Sequence, residues 1–356
     1  MKKLFKSIVI VSLTILVLGY SHTAFAGNKD RSGQAGATEL LINPWAASAG
    51  WANAGMSKIH GVEAMWGNVA GITATNSIDL NFSYTNWLQG SGVNAYSFGV
   101  LARVSETVVA GLYVMSFSPG EIYRTTTENP DLTLGTYKPS LMNINIAVAK
   151  SFSNSIHAGF VLKIISESIS DMVGTGVALD AGIQYVTGDD NEFKFGVSLK
   201  NIGPALSFSG DGLARTLVDW GGVSKTVEER SQAFEMPTCL NIGLSYDFLF
   251  DAYDQRLTLA GNFTSNAFMK DNFIIGAEYS LLNMFQVRGG FVYQNDIFSE
   301  ANRTSAMTGP TAGASVKIPL SKQKGDKPAS SIGLDYSYRS AAPFKGSHSI
   351  GVVLSF

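Results

Sequence analysis

A Ser-His-Ser triplet near the end of the chain is the arrangement in this sequence that most resembles hydrolytic machinery. Ser347, His348 and Ser349 are consecutive, whereas nucleophilic catalysis needs a serine and a histidine in hydrogen-bond reach, with a third polar group to orient the histidine. Neighbouring side chains of an extended segment point to opposite faces. The histidine and its two serines are therefore expected on different faces, and we predict no catalytic residues and no enzymatic activity.

The run Asp189-Asp190-Asn191-Glu192 carries the oxygen ligands that calcium prefers. These four residues lack the spacing of a dedicated calcium loop, and they occupy a short turn between two alternating segments. We interpret them as a solvated turn. The sequence therefore indicates no metal site and no cofactor.

The segment that contains the triplet alternates over ten residues. Ile350, Val352, Leu354 and Phe356 fall on one face, while mostly small or polar residues fall on the other. A strand that ends the chain on an aromatic residue is typical of the closing strand of an outer-membrane β-barrel, in which the terminal aromatic serves as the assembly signal. Phe356 is the candidate for that signal. An ordinary last strand of a soluble β-protein is the alternative.

The amino terminus predicts export. Three lysines precede the apolar run Ile8–Leu18, and Ala24-Phe25-Ala26 offers a cleavage site before Gly27. Residues 1–26 are therefore predicted to be a signal peptide. Because no cysteine is near the cleavage site, no lipid anchor is expected. The single Cys239 excludes an intramolecular disulfide in the exported chain.

Composition narrows the class of protein further. The chain has 26 basic and 28 acidic residues, and the signal peptide removes three lysines and no acid, so the mature chain has a formal charge of −5. This weak negative charge argues against nucleic acid as a partner. No stretch after the signal peptide approaches the ~20 apolar residues of a membrane helix. If the chain crosses a membrane, it does so with strands.

Alternation and turn residues predict about fourteen strands of roughly nine to eleven residues, the length that a tilted membrane strand needs. They are Ile78–Asn86, Val93–Arg103, Val108–Phe117, Met142–Lys150, Ile156–Ile165, Val177–Val186, Phe193–Asn201, Cys239–Phe248, Arg256–Thr264, Phe273–Leu281, Phe285–Gln294, Thr311–Pro319, Ser331–Tyr338 and Ser347–Phe356.

Connection lengths decide between a soluble and a membrane barrel. The three long connections lie between Phe117 and Met142, between Asn201 and Cys239, and between Gln294 and Thr311. All three emerge on the same side, and most connections on the other side are short, as in outer-membrane barrels. We predict an all-β fold, a single transmembrane antiparallel β-barrel over 78–356, closed by pairing of its first and last strands.

Between the signal peptide and the first strand the chain shows little alternation. Residues 27–36 are polar and are interpreted as a flexible lead, and residues 37–77 are rich in Ala, Gly, Trp and Met. Here the motif Trp66-Gly67-Asn68-Val69-Ala70-Gly71-Ile72 resembles the Trp-Asn-Pro-Ala-Gly-Leu-like signature of the PorV/PorQ family of Bacteroidota outer-membrane proteins, with Gly67 inserted and Val69 where proline is frequent. The resemblance continues through 176–182, 196–203 and 237–247.

This resemblance implies that residues 37–77 form a plug inside the barrel, as in the related FadL-type channels, acting either as a movable gate or as a space-filler. The plug residues would be Trp45, Trp51, Met56, Met65, Trp66, Asn68 and Gly71. Exposed apolar residues of the long loops are candidates for partner binding, although they could instead fold down and cap the barrel. These residues are Tyr123, Tyr137, Trp220, Phe234 and Met236.

The function implied by the resemblance is that of a non-enzymatic component of the type IX protein secretion system, held in outer-membrane lipid. Its loops would bind the translocon, the surface sortase or cargo proteins with a sorting domain. The alternative is a FadL-like outer-membrane channel for hydrophobic small molecules, which predicts an apolar pocket beside the plug and a lateral opening in the barrel wall.

Overall fold

The computed structural model describes Gly27 and residues 29–131, 134–250, 254–320 and 330–356, so the predicted signal peptide lies outside the described residues. Fourteen long strands dominate the described chain. They are β1 (Ile78–Trp87), β2 (Val93–Arg103), β3 (Val108–Ser118), β4 (Ser140–Ser151), β5 (Ile156–Ile169), β6 (Met172–Thr187), β7 (Phe193–Ile202), β8 (Cys239–Phe250), β9 (Gln255–Asn266), β10 (Asn272–Leu281), β11 (Phe285–Gln294), β12 (Met307–Pro319), β13 (Ser331–Ala341) and β14 (Ser347–Ser355).

The strands form a closed antiparallel ring. Each strand pairs with its neighbours in the sequence, and β1 also pairs with β14, with Asp79 opposite Ser355 and Asn86 opposite His348. Closure satisfies the backbone groups that an open sheet edge would leave unpaired. The predicted fourteen-stranded barrel and its closing strand pair are confirmed. Among the described residues, no helix is both long and apolar enough to cross a membrane.

Apolar side chains of the strands face outward and polar ones face the lumen. In β1, Phe82 is 48% exposed, whereas Asn81 and Ser83 are 2% and 1% exposed. In β14, Ile350 is likewise exposed while Ser349 is buried. This is the inverse of a soluble barrel, in which the apolar face surrounds the core.

The two ends of the barrel differ in connection length. The end that carries the long connections 119–139, 203–238 and 295–306 is called the loop rim here. The opposite end, the turn rim, carries short connections such as 104–107 and 152–155. This asymmetry agrees with the prediction from the sequence.

The long loops contain structure that alternation did not predict. The loop between β7 and β8 carries a hairpin, Ala214–Val218 paired with Ser224–Glu228. In the same loop, Phe208–Ser209 pairs with the beginning of β6, which starts at Met172 instead of the predicted Val177. Gly174 and Gly176 have no side chains that could alternate between the two faces, so the sequence does not predict this extra length of β6.

Residues 37–77, called the lumen segment here, lie inside the ring. Their small residues form short helical turns at Thr38–Leu41, Ala46–Ala49, Ala54–Ser57, Val62–Met65 and Val69–Ala74. The segment contacts inward-facing side chains on opposite walls: Gln184 Nε2 donates to the Ile59 carbonyl at 3.1 Å, and Arg339 Nη1 donates to the Asn43 carbonyl at 3.2 Å. The ring therefore surrounds it.

Candidate functional site

The lumen segment binds one wall of the barrel through an apolar cluster. Trp45, Met65 and Trp66 are buried against β2 to β5, where the inward positions are unusually apolar and include Leu101 and Val109. The Trp45 ring packs edge-on against Tyr113, with the ring centroids 5.8 Å apart. The burial of these large apolar side chains makes the main favourable contribution to the free energy that holds the segment against the wall.

Asn68 and Gly71 shape the last helical turn of the segment. Asn68 accepts the backbone N–H of Ala70 through its side-chain oxygen and donates to the Ile183 carbonyl of β6 at 3.0 Å. It therefore caps a helical turn and ties that turn to the wall. A Cβ at Gly71 would lie 1.9 Å from the carbonyl oxygen of Ile59, so only glycine fits this approach.

Trp51 and Met56 lie toward the opposite wall. Trp51 packs with Ala54, Ala260 and Ile274 in a separate buried cluster. Its backbone comes so close to β11 that a Cβ at Gly290 would lie 2.4 Å from the Trp51 carbonyl oxygen. All seven residues predicted to belong to a plug are therefore buried in the lumen.

A buried ion-pair network fixes the segment near the turn rim. Lys58 Nζ lies 3.0 Å from Asp247 Oδ1 and 3.5 Å from Glu278 Oε1. Lys194 and Arg288 add further ion pairs, at 2.6 Å from Asp247 Oδ2 and from Glu278 Oε2 respectively, and Arg256 lies 3.1 Å from Glu278 Oε1. Buried charges persist only when they are paired in this way.

Two carboxyl groups meet near the loop rim, and neither forms an ion pair with a basic side chain of the described residues. Glu39 of the lumen segment lies beside Glu167 of β5, and Asn143 Nδ2 donates to Glu39 Oε1 at 3.4 Å. Burial, reinforced by the charge of Glu167, raises the pKa of Glu39 from 4.5 to about 7.

A cavity of about 380 Å³ lies between the lumen segment and the wall on the loop-rim side. Met56 and Trp66 of the segment face it, as do Ile274 and Val292 of the wall. Its lining also holds a set of amide side chains and two cations, Lys200 and Arg339. We call it the outer cavity. Its mainly apolar lining with a few convergent polar groups is typical of small-molecule sites.

A second, smaller cavity of about 170 Å³ lies on the turn-rim side of the segment. Its lining is strongly charged, with Lys58, Glu63, Glu278, Arg288 and Asp335 among its residues. The lumen segment separates the two cavities.

The barrel wall is discontinuous between β6 and β7. Their ladder runs from Thr187 opposite Phe193 to Ala181 opposite Leu199, and beyond a register shift only Leu179 still pairs, with Ile202. Toward the loop rim the gap is filled by the β7–β8 loop, whose Leu206 and Met236 are buried against Ile165 and Ala178. At this place the wall is made of the loop, which contributes these side chains and the short pairing of Phe208–Ser209 with β6, instead of a continuous ladder between β6 and β7.

The predicted partner-binding residues divide into two groups. Trp220, at the tip of the loop hairpin, and Tyr123 are exposed, and Tyr137 is half-exposed. Met236, by contrast, is only 2% exposed. Phe234 is half-buried against Phe208 and against Gly36, the last residue before the lumen segment. The expectation that these last two residues form an exposed surface is wrong, because they fold down to fill the wall discontinuity.

The remaining candidates lie apart from one another. His348 faces outward, with Nδ1 2.8 Å from the Tyr336 hydroxyl, whereas Ser349 faces the lumen and contacts Thr85. Asp189 and Asp190 are exposed in the turn between β6 and β7. Among the described residues there is no group of three or more His, Cys, Asp or Glu side chains that could hold a metal ion. The Phe356 ring is exposed at the turn rim, and its backbone N–H donates to the Ile78 carbonyl at 2.8 Å.

Sequence reasoning missed Lys58, Glu39, Lys200 and Arg339. Alternation in the sequence places Lys200 and Arg339 on the polar, lumen-facing side of their strands. The residues that they contact come from distant parts of the chain, and no local pattern identifies those contacts.

No protein-family model matches the sequence, and no curated protein sequence matches it either. Solved structures do share its architecture. The toluene transporter TbuX of Ralstonia pickettii is 13% identical with a TM-score of 0.51, over 93% of this chain and 98% of that chain. The toluene transporter TodX of Pseudomonas putida is 12% identical with a TM-score of 0.52, over 88% of this chain and 98% of that chain. At such identities the likeness establishes the fold, a FadL-like barrel.

Proposed function

We propose that this protein is a non-enzymatic barrel of the outer membrane that binds hydrophobic small molecules in the outer cavity. The observation that carries the proposal is the cavity itself, mainly apolar and set under the loops of a barrel with the FadL-like fold. The exposed apolar faces of the strands support a setting in outer-membrane lipid, with the loop rim outside the cell.

In this proposal the lumen segment is the plug. It separates the outer cavity from the turn-rim cavity and is held by both an apolar cluster and an ion-pair network. A hydrophobic molecule then has two exits: past a displaced plug, or sideways through the wall discontinuity between β6 and β7. The second exit needs movement of the β7–β8 loop, whose Leu206 and Met236 fill the gap.

A pair of variants on one strand tests the binding site. Val292 of β11 lines the outer cavity, and Val287 of the same strand faces outward with 61% exposure. We expect Val292→Trp to fill the cavity and to weaken binding of a neutral aromatic fluorophore to the purified protein in detergent at least tenfold. Val287→Trp should leave binding unchanged. Equal binding by both variants would contradict the proposal.

A second candidate function is a docking role in type IX secretion, as the PorV/PorQ resemblance implies. The loop hairpin favours it, because Trp220 is fully exposed at its tip and Leu217, Val218 and Val223 are exposed around it. Clustered apolar side chains at a loop tip are typical of protein interfaces. The partners would be the translocon, the sortase or cargo with a sorting domain, and not nucleic acid.

Co-purification from native membranes distinguishes this role from small-molecule binding. We expect the full chain to recover secretion partners and Trp220→Ala to lose them. Phe152→Ala is the matched control, because Phe152 is an exposed aromatic at the turn rim. Recovery of lipid alone, or equal recovery by both variants, would argue against docking through the hairpin.

A further inference from the structure

The outer cavity contains two buried cations and no carboxylate. Its lining residues include Lys200 and Arg339 but no aspartate or glutamate. The two cations are 2% and 8% exposed. The cavity is therefore positively charged, unlike the turn-rim cavity, where Glu63, Glu278 and Asp335 face the basic groups.

Lys200 forms no close ion pair among the described residues, although the carboxylate of Asp180, which is paired with Lys163, attracts it from a longer distance. Its ammonium lies 3.4 Å from the centroid of the Trp66 ring, a cation–π contact, and it makes no ion pair or hydrogen bond there. The other buried lysines of the barrel are paired: Lys163 with Asp180 at 2.7 Å and Lys58 with Asp247 at 3.0 Å. A cation–π contact offsets only part of the free-energy cost of burying a charge.

Arg339 is only partly satisfied. Its two terminal nitrogens donate to the Asn43 carbonyl and the Ser349 hydroxyl, its guanidinium lies over the Trp87 ring, and its buried Nε has no partner. A guanidinium that is held in place in this way adds a fixed positive charge to the lining of the cavity.

The rest of the lining limits the size and shape of the ligand. Amide side chains of the wall, among them Asn241, Asn262 and Gln294, surround the cavity and bond to one another and to neighbouring groups of the wall. A long alkyl chain laid along these amides would remove them from water without replacing hydrogen bonds. A compact apolar body can contact Met56, Ile274 and Val292 instead.

We propose that the outer cavity takes a small organic anion with a compact apolar body, such as an aromatic carboxylate, whose charged oxygens bind Lys200 while Arg339 adds positive charge to the lining. This inference rests on the proposed binding function and names its ligand class. Binding would draw the Lys200 ammonium off the Trp66 ring. The ligand would thereby loosen one contact between the wall and the lumen segment.

The test compares three probes by calorimetry on the purified full chain in detergent: 2-naphthoate, its neutral isostere 2-naphthylmethanol, and dodecanoate. We expect naphthoate to bind at least tenfold more tightly than the other two and to change the tryptophan fluorescence. Lys200→Met should weaken naphthoate binding at least tenfold without affecting the neutral probe, and Lys200→Arg should restore part of it.

Lys194→Met is the matched control, because Lys194 is a cation of the same strand, β7, that pairs with Asp247 near the turn rim. It should leave naphthoate binding unchanged, and heat-modifiability on gels reports whether each variant is folded. If the two naphthyl probes bind equally and Val292→Trp weakens both, the anion inference fails while the proposed function stands. If dodecanoate binds most tightly, the compact ligand class is wrong. If no probe binds, both proposals fail.

Discussion

Lys58 Nζ of the lumen segment lies 3.0 Å from Asp247 Oδ1 of the barrel wall, and both side chains are buried. The two residues are 189 positions apart in the chain. This contact joins the segment to a strand that is itself held by the closed hydrogen-bonded ring. Attachment of the segment and integrity of the barrel are therefore separable properties, and each can be tested.

Removing the Lys58 charge should release the turn-rim end of the lumen segment. Breaking a buried ion pair from one side costs roughly 3–5 kcal/mol. We expect the cost of Lys58→Met to lie near the low end of this range, because Lys194 and Arg288 still face the carboxylates. Limited proteolysis should show faster cleavage within residues 37–77. Lys225→Met, which removes an exposed ion pair with Asp219, should leave cleavage unchanged.

Two adjacent glycines of β11 should respond differently to alanine. A Cβ at Gly290 would lie 2.4 Å from the Trp51 backbone, whereas the nearest atom to a Cβ at Gly289 is 4.0 Å away. Gly290→Ala should therefore displace the lumen segment and raise hydrogen exchange at residues 50–54, with the barrel strands still protected. Unchanged exchange in Gly290→Ala, or the same increase in Gly289→Ala, would contradict this packing.

The attachment of the lumen segment near the loop rim should weaken as the pH rises. Because burial raises the pKa of Glu39 from 4.5 to about 7, the folded state favours the protonated carboxyl. The resulting stabilisation is complete below about pH 4.5 and is lost as the pH rises through about 7. Exchange of residues 38–42, corrected for intrinsic rates, should be slower at about pH 5 than at about pH 8. Glu39→Gln should remove most of this difference; an equal pH dependence in the variant would rule Glu39 out as its source.

Phe356 should matter for assembly in the cell more than for stability. Its ring is exposed, while its backbone N–H closes the pairing with Ile78. We expect Phe356→Ala to lower the amount of barrel in the outer membrane several-fold, yet to refold in detergent with an unfolding midpoint close to that of the unchanged protein. A comparable loss of stability in vitro would show that the ring has a packing role instead.

Part of the site was accessible from the sequence. Trp45, Trp51 and Trp66 stood out as large apolar residues in a segment without alternation, and the structure buries all three in the lumen. The FadL-like alternative predicted a lateral opening, but the position of the wall discontinuity between β6 and β7 was not accessible, since Gly174 and Gly176 carry no side-chain pattern. Met236 was predicted to be exposed because it lies in a long loop. The structure buries it in the wall discontinuity, which no local pattern in the sequence marks.

The sequence by itself determined the strands, the outward direction of their apolar faces and the closure of the ring. Alternation with a period of two is a local property, and the lack of unpaired edges follows from it once the strands are in lipid. Only the tertiary structure decided what meets inside the ring. Lys58 with Asp247, Glu39 with Glu167, and the unpaired Lys200 are products of walls that approach one another across the lumen, and a one-dimensional pattern carries no distance between side chains so far apart in the chain.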